Sequence, residues 1–410
     1  MRRLPPDDPA AGEIAPPSFG RAAGWLARAY NRRILRREQG IAAVELSGAE
    51  HLAAIRARGD GVLIAPNHPD QADPYVAFEV AARCGGGFAY MAAVQLFQGN
   101  ARSVLPRIGG FPIDRDGTDL KAFKTAVDLL ARGRPVVVFP EGEVYHLSDR
   151  ITPIREGAAA MAVTAAKRLS AAGKSTYVLP VATKYRFCDE DAQVGSLYAR
   201  IGTLEALARA DRVAGHGLVD RIYDLAETQV ALKEAEHLGS PGSGPIPARI
   251  AAVREAILGR IEDRRAGRRR ADPAPIRVKE LRRCCLDDLA RPDLAPEAEQ
   301  QARRDLDDLH VALQLFSYPG DYVRTLPSID RIAETIRKFE EDLMGDDAPP
   351  PSGPRRAIVH IGDPIDVTRL IAEAGKPRDA IGPITAELES RIQGLLDAIG
   401  PGTPFRDPHP

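Results

Sequence analysis

Two hydrophobic rhythms alternate along the first half of the chain. Short apolar runs between breakers, GVLIA (61–65), FAYMAA (88–93), FPID (111–114), PVVVF (135–139) and YVLPVAT (177–183), predict strands. Between them, residues 74–83, 118–132 and 156–172 carry the longer period of helices. Strand and helix in turn predict an α/β domain with a largely buried sheet. Near Arg186 the rhythm stops. From 187 to 355 the pattern is helical and highly charged. Ile329, Ile332, Ile336, Phe339 and Leu343 form one apolar stripe, and Ile250, Val253, Ile257 and Ile261 another, as packed helices require. Breakers fall at GSPGSGPIP (239–247) and GDDAPPPSGP (345–354). AIVHIGDPIDV (357–367) then reads as a strand and 380–399 as a helix. The helical stretch is therefore expected to be an insertion into one α/β domain, with the late strand returning to its sheet. No internal repeat stands out.

The chain ends differ from this pattern. Residues 1–17, rich in proline and acidic side chains, are expected to be disordered, and 401–410 to form a loop-like tail. Residues 18–38 predict an amphipathic helix. Phe19, Ala22, Trp25, Leu26, Ala29 and Leu35 fit one broad apolar face, against Arg21, Arg28, Arg32, Arg33, Arg36 and Arg37. Such a helix suits a membrane interface, and the same pattern fits a helix docked on the core.

Composition narrows the function. Of 410 residues, 44% are apolar and 28% charged, enough for an ordinary core, and a net charge of −1 argues against general nucleic-acid binding. The four cysteines, Cys84, Cys188, Cys284 and Cys285, form no CxxC pair, so neither a disulfide framework nor a zinc site is indicated and a reducing compartment fits. The N-terminus has no apolar core of a secretory signal, and no run approaches the roughly 18 apolar residues of a membrane span. Any membrane contact is expected to be peripheral, on the cytoplasmic side.

Four stretches carry candidate chemistry. The first is NHPDQAD (67–73), just past the first strand. Asp73 before Pro74 could simply cap the next helix. On a helix, positions i and i+5 lie about 140° apart, so His68 and Asp73 can meet only if His68 sits in the loop and folds back. An imidazole held by a carboxylate is a general base with fixed tautomer. The second is GGFPIDRD (109–116), whose Arg115 at a strand end suits a bidentate grip on phosphate, or a surface pair with a neighbouring aspartate. In the third, VVVFPEGEVYH (136–146), Pro140 and Gly142 make a turn that fixes Glu141 at the sheet edge and lets a ligand approach. The fourth, YVLPVATKYR (177–186), has Pro180 inside a strand, which points to an edge or bulge, with Lys184 and Arg186 nearby.

In this order and spacing, the H-x4-D pair, GxxxIxR, FPEG and the strand proline resemble the PlsC-like glycerolipid acyltransferases, which include glycerol-3-phosphate and 1-acylglycerol-3-phosphate acyltransferases. The resemblance covers about 40–186 and resumes at about 356–400, with ELSGAEHL (45–52) similar to the family's lead-in to its first strand. It implies a mixed sheet flanked by helices and an enzyme of phospholipid biosynthesis. His68 would be the general base and Asp73 its partner. Arg115, Glu141 and Gly142 would bind the acceptor phosphate and glycerol, and Pro180 would help place the acyl chain. An acyl-CoA or acyl-carrier-protein thioester would be the donor, with no metal or other cofactor. The chain departs from the family after FPEG, where Glu143, Val144 and Tyr145 replace the usual Thr, Arg and Ser. The usual cation beside the turn is missing there. Lys184, Arg186 or Arg150 could supply it, or the acceptor is another lipid. A lipid-binding protein without catalysis is the alternative of a different class. In the insertion, Arg264, Arg265, Arg268, Arg269, Arg270, Arg282 and Arg283 form solvated helix faces or contact anionic headgroups or an acidic carrier.

Overall fold

Every residue of GVLIAP (61–66) is buried, because both faces of this strand are covered. The structure, a computed structural model, describes residues 14–115, 119–265, 267, 269–345 and 348–407. Most of the N-terminal segment expected to be disordered (1–13), Arg268 of the arginine cluster and 408–410 of the tail lie outside the described residues.

Along the chain come α1 (Arg21–Arg37), β1 (Ile41–Ser47), α2 (Ala49–Arg58), β2 (Gly61–Pro66), α3 (Asp73–Arg83), β3 (Ala89–Ala93), α4 (Ala101–Arg107), β4 (Gly110–Ile113), α5 (Leu120–Ala131), β5 (Val136–Val137), α6 (Gly157–Ser170) and β6 (Thr176–Phe187). The helices α7 (Asp191–Ala208), α8 (Leu218–Leu238), α9 (Ile246–Arg265), α10 (Ala274–Leu289), α11 (Pro296–Phe316), α12 (Tyr322–Thr325) and α13 (Ile329–Met344) follow. Then come β7 (Arg355–Ile361), β8 (Ile365–Asp366), α14 (Val367–Ala374) and α15 (Ile381–Ile399). The chain divides into two compact units, Met1–Cys188 with Gly353–Pro401, and Asp189–Ser352 with Gly402–Pro410.

In the first unit, eight strands of the described residues form one sheet in the order β1-β7-β6-β2-β5-β3-β4, with β8 beside β6. Five neighbouring pairs are parallel, and β6 runs antiparallel to β7 and β8. This is the mixed α/β sheet expected from the alternating rhythm. Side-chain alternation separates two cores. Leu63, Ala65, Val178 and Ala182 pack with α5, α6 and α15, while Val62, Ile64, Leu179 and Val181 pack with α1, α2 and α3. Because β2, β4 and β5 are parallel, the loops after them leave from the same edge, the usual place for a site in such sheets.

Several local readings change. IAAVELS is the strand β1, which the sequence reading missed because it is short of buried residues. The single late strand is two, broken at Gly362–Pro364, where Gly362 donates its N–H to the Pro180 carbonyl, 2.9 Å. That break also corrects the reading of Pro180 as an edge or bulge residue. β6 is interior, and Pro180 lies between its β8 partners (Tyr177, Val178) and its β7 partners (from Val181). A residue without an N–H fits a gap in the ladder. On α1, the expected apolar face splits. Ile34 and Leu35 are buried, whereas Trp25 is 71% and Leu26 63% exposed. One face of the helix docks on α3: Asn31 donates to Tyr75 O, and Arg28 and Arg32 bond the carboxylate of Glu79. Burial raises the Glu79 carboxyl, but the bonds from Arg32 and Arg28 outweigh it and hold it below the usual range.

The second unit has a repeat that the sequence reading did not find. Arg221, Arg249 and Arg277 recur every 28 residues, each in the first turns of α8, α9 and α10. Each guanidinium reaches back to a buried glutamate of the preceding helix: Arg221 to Glu205, Arg249 to Glu234 and Arg277 to Glu262. Arg249 and Arg277 also bond Glu227 and Glu255 at the same sequence offset. The signal is one charge pair per helix, too sparse to see without the contacts. The arginine-rich stretch is also less free than its composition implied. Arg264 and Arg265 bond Asp305, Arg265 also Asp288, Arg269 Asp263, and Arg270 Asp272.

Candidate functional site

Asn67 continues β2 with its side chain. Its amide donates to Thr183 O at 3.0 Å and accepts from Thr183 N at 2.7 Å, adding a rung to β6 where the backbone turns away. His68 is thereby delivered into the loop ahead of α3. Three contacts then fix it. Its ring stacks on Phe139, centroids 4.2 Å apart. Its backbone N–H donates to Glu141 Oε1 at 2.6 Å. Its Nδ1 lies 2.8 Å from Asp73 Oδ2. With Nδ1 engaged, Nε2 is the remaining ring nitrogen, and the side chain is 16% exposed.

Asp73 does not cap α3. The N-cap is Ala72, and no side chain caps that end. The Asp73 carboxylate instead takes His68 Nδ1 and the Asp70 N–H on Oδ2, 2.8 Å each, and the Tyr185 hydroxyl on Oδ1. Burial pushes its carboxyl above the usual range, and the bonds from His68 and Tyr185 oppose that shift. Burial and the negative charges of Asp73 and Asp70 hold the Tyr185 phenol well above its ordinary range, so it stays a donor.

The FPEG turn faces both ways. Glu141 is buried and points inward, with Oε1 on the His68 N–H and Oε2 on the Thr152 N–H and hydroxyl. Burial raises its carboxyl, against those same bonds. Gly142 has φ +78°, and a Cβ there would meet the Arg155 guanidinium at 2.6 Å. Arg115 Nη1 lies 3.2 Å from Glu143 Oε2 and 3.4 Å from Gly142 O. Two guanidinia therefore lie beside the turn. Arg115 pairs with Glu143.

Two of the three expected stand-in cations, Lys184 and Arg186, are engaged at the end of α15. Lys184 is 2% exposed, bonded to Asp149 and to Gly400 O at the end of α15, and Arg186 bonds Gly400 O as well. Lys184 is an internal ion pair, because its position on interior β6 turns it into the protein. The cation that sequence reasoning missed is Arg155, whose N–H donates to Pro140 O at 2.9 Å. That bond folds the segment before α6 back onto the turn. The only signal in the sequence was an arginine two residues ahead of a helix, and that signal is weak. Pro180 is buried in the ladder gap described above. His146 is buried in the loop, at φ +55°.

Residues 43–184 match the family model described as Acyltransferase. This stretch is an acyltransferase domain of the PlsC-like glycerolipid family. No match was found among curated proteins. The acyltransferase domain so defined contains His68, Asp73, Arg115, Glu141, Gly142, Arg155 and Pro180, and ends at Lys184. β7, β8 and α15, which complete its sheet and one of its cores, come after the second unit in sequence.

Proposed function

We propose that the protein transfers a fatty acyl group from an acyl-CoA or acyl-carrier-protein thioester to a hydroxyl of a glycerol-phosphate or lysophospholipid. The observation that carries this reading is the imidazole of His68 held through Nδ1 by Asp73 with Nε2 left free. Nε2 takes the proton of the acceptor hydroxyl as its oxygen bonds to the thioester carbonyl carbon. Collapse of the tetrahedral intermediate breaks the C–S bond, and the thiolate leaves with the proton from His68. Asp73 stabilises the imidazolium in between, as the carboxylate of a serine-protease triad does. Arg115 and Arg155, both beside the Gly142 turn, are suited to an acceptor phosphate.

The reaction is proposed to take place at a membrane surface, with the protein bound peripherally. No helix of the described residues is long and apolar enough to cross a membrane. Trp25, Leu26 and Tyr30 of α1 are all exposed, beside the exposed Arg33, Arg36 and Arg37. Val104 is also exposed, on α4, the element to which Ser18 bonds.

The test is acyl transfer followed by mass spectrometry. Palmitoyl-CoA and palmitoyl-carrier protein are offered with glycerol 3-phosphate, lysophosphatidate and neutral lysolipids. Product from the wild type and a loss of roughly 100-fold in His68→Ala are expected. Equal rates in the two would overturn His68 as base. Lipid binding without product from any pair would favour a binding protein on this fold.

A further inference from the structure

The histidine and its aspartate do not form a pair by themselves. Tyr185, on β6 and distant in sequence, is 2% exposed and donates its hydroxyl to Asp73 Oδ1, the oxygen that His68 does not use. Its ring is held in turn. The Arg355 guanidinium of β7 lies over it, 4.9 Å from the centroid, and Arg355 Nη1 donates to Asp70 Oδ2 at 2.6 Å. Asp70 closes the ring of contacts, its N–H donating to Asp73 Oδ2 at 2.8 Å. Both oxygens of Asp73 are therefore occupied by donors from two directions, and the carboxylate plane cannot turn without breaking one.

We infer that Tyr185 is a positioning residue of the base: its hydroxyl orients the Asp73 carboxylate and sets how strongly that carboxylate holds the proton of His68. The inference rests on the reading of His68 as general base. The physical effect has a definite sign. A hydrogen bond to a carboxylate stabilises its negative charge. Without it the Asp73 charge acts more strongly on His68, and the imidazolium formed when Nε2 takes up a proton is held more tightly. Asp70, Glu141 and Arg355 are the other charged groups facing this pair, and Tyr185→Phe leaves all three in place.

The experiment is an NMR titration of the full-length protein labelled with 15N in histidine, with His68 assigned by its loss in His68→Ala. In Tyr185→Phe the His68 midpoint is expected to rise by roughly half a pH unit. The acid limb of kcat/KM for acyl transfer, measured with the donor–acceptor pair giving product, should move by the same amount. The phenyl ring still supports Arg355, so a merely structural tyrosine would change stability and not the midpoint. An unmoved or lowered midpoint in folded Tyr185→Phe would overturn the inference while leaving His68 as base. Full activity in His68→Ala would overturn the base itself, whatever the titration shows. Tyr185→Leu, which removes ring and hydroxyl together, should move the midpoint the same way if it folds.

Discussion

Glu143 pairs with Arg115, the guanidinium proposed to hold an acceptor phosphate. Both side chains are 26% exposed, so the pair is loose and an incoming anion can displace the carboxylate. Glu143→Gln should therefore lower KM for lysophosphatidate by roughly twofold to fivefold, the range of a half-exposed ion pair, and leave a neutral lysolipid unaffected. Steady-state kinetics with the two acceptors decide this, and an unchanged KM for both would remove this pair from acceptor recognition. The departure from the family after FPEG was legible in the sequence. The second guanidinium at that turn was not. Arg155 reaches the turn through a backbone bond to Pro140, and a lone arginine in a loop carries no spacing signal of its own. Glu141 is the reverse case. Its position was legible and its direction was not, since a carboxylate at a turn can face solvent or, as here, the His68 N–H.

At the scale of elements, α1 shows how docking divides a helix. One face buries Ile34 and Leu35 and ties Arg28 and Arg32 to Glu79. The other leaves Trp25, Leu26 and Tyr30 to solvent. Periodicity placed Trp25, Leu26 and Leu35 on one broad apolar face, because it cannot see which side of the helix its neighbour packs against. Inserting a large apolar side chain into a membrane interface is worth about 1.5–3 kcal/mol. Trp25→Ala and Leu26→Ala should thus each weaken binding to anionic phosphatidylglycerol vesicles by roughly tenfold or more, read by co-sedimentation. Unchanged binding of the double variant would rule out α1 as the contact. Each apolar run of the first half holds a strand, but β5 is only two residues long, the late run breaks into β7 and β8, and alternation with exposed residues hid β1.

At the scale of the whole molecule, the second unit is built on charge as much as on apolar stripes. Ile332 and Ile336 are fully buried, as their spacing predicts, but so is Glu262, under the Arg277 guanidinium. Removing one member of a buried pair leaves the other uncompensated. Glu262→Ala should cost about 3–5 kcal/mol, read as a lower midpoint in urea unfolding. Replacing both partners, Glu262→Leu with Arg277→Met, should recover most of it. If the single variant unfolds like the wild type, the repeated arginine–glutamate pairs are not what holds these helices together.

The sequence by itself determined the α/β class, and it put His68 and Asp73 close enough along the chain to meet. Each of these follows from local periodicity, or from a motif whose members lie within a few residues of one another. Only the tertiary structure decided which side chains complete the site. Tyr185 reaches Asp73 from β6, Arg355 reaches Asp70 from beyond the second unit, and Arg155 folds back on Gly142. These contacts join residues far apart in the chain, so their geometry is set by sheet order and register. Local pattern carries no record of either.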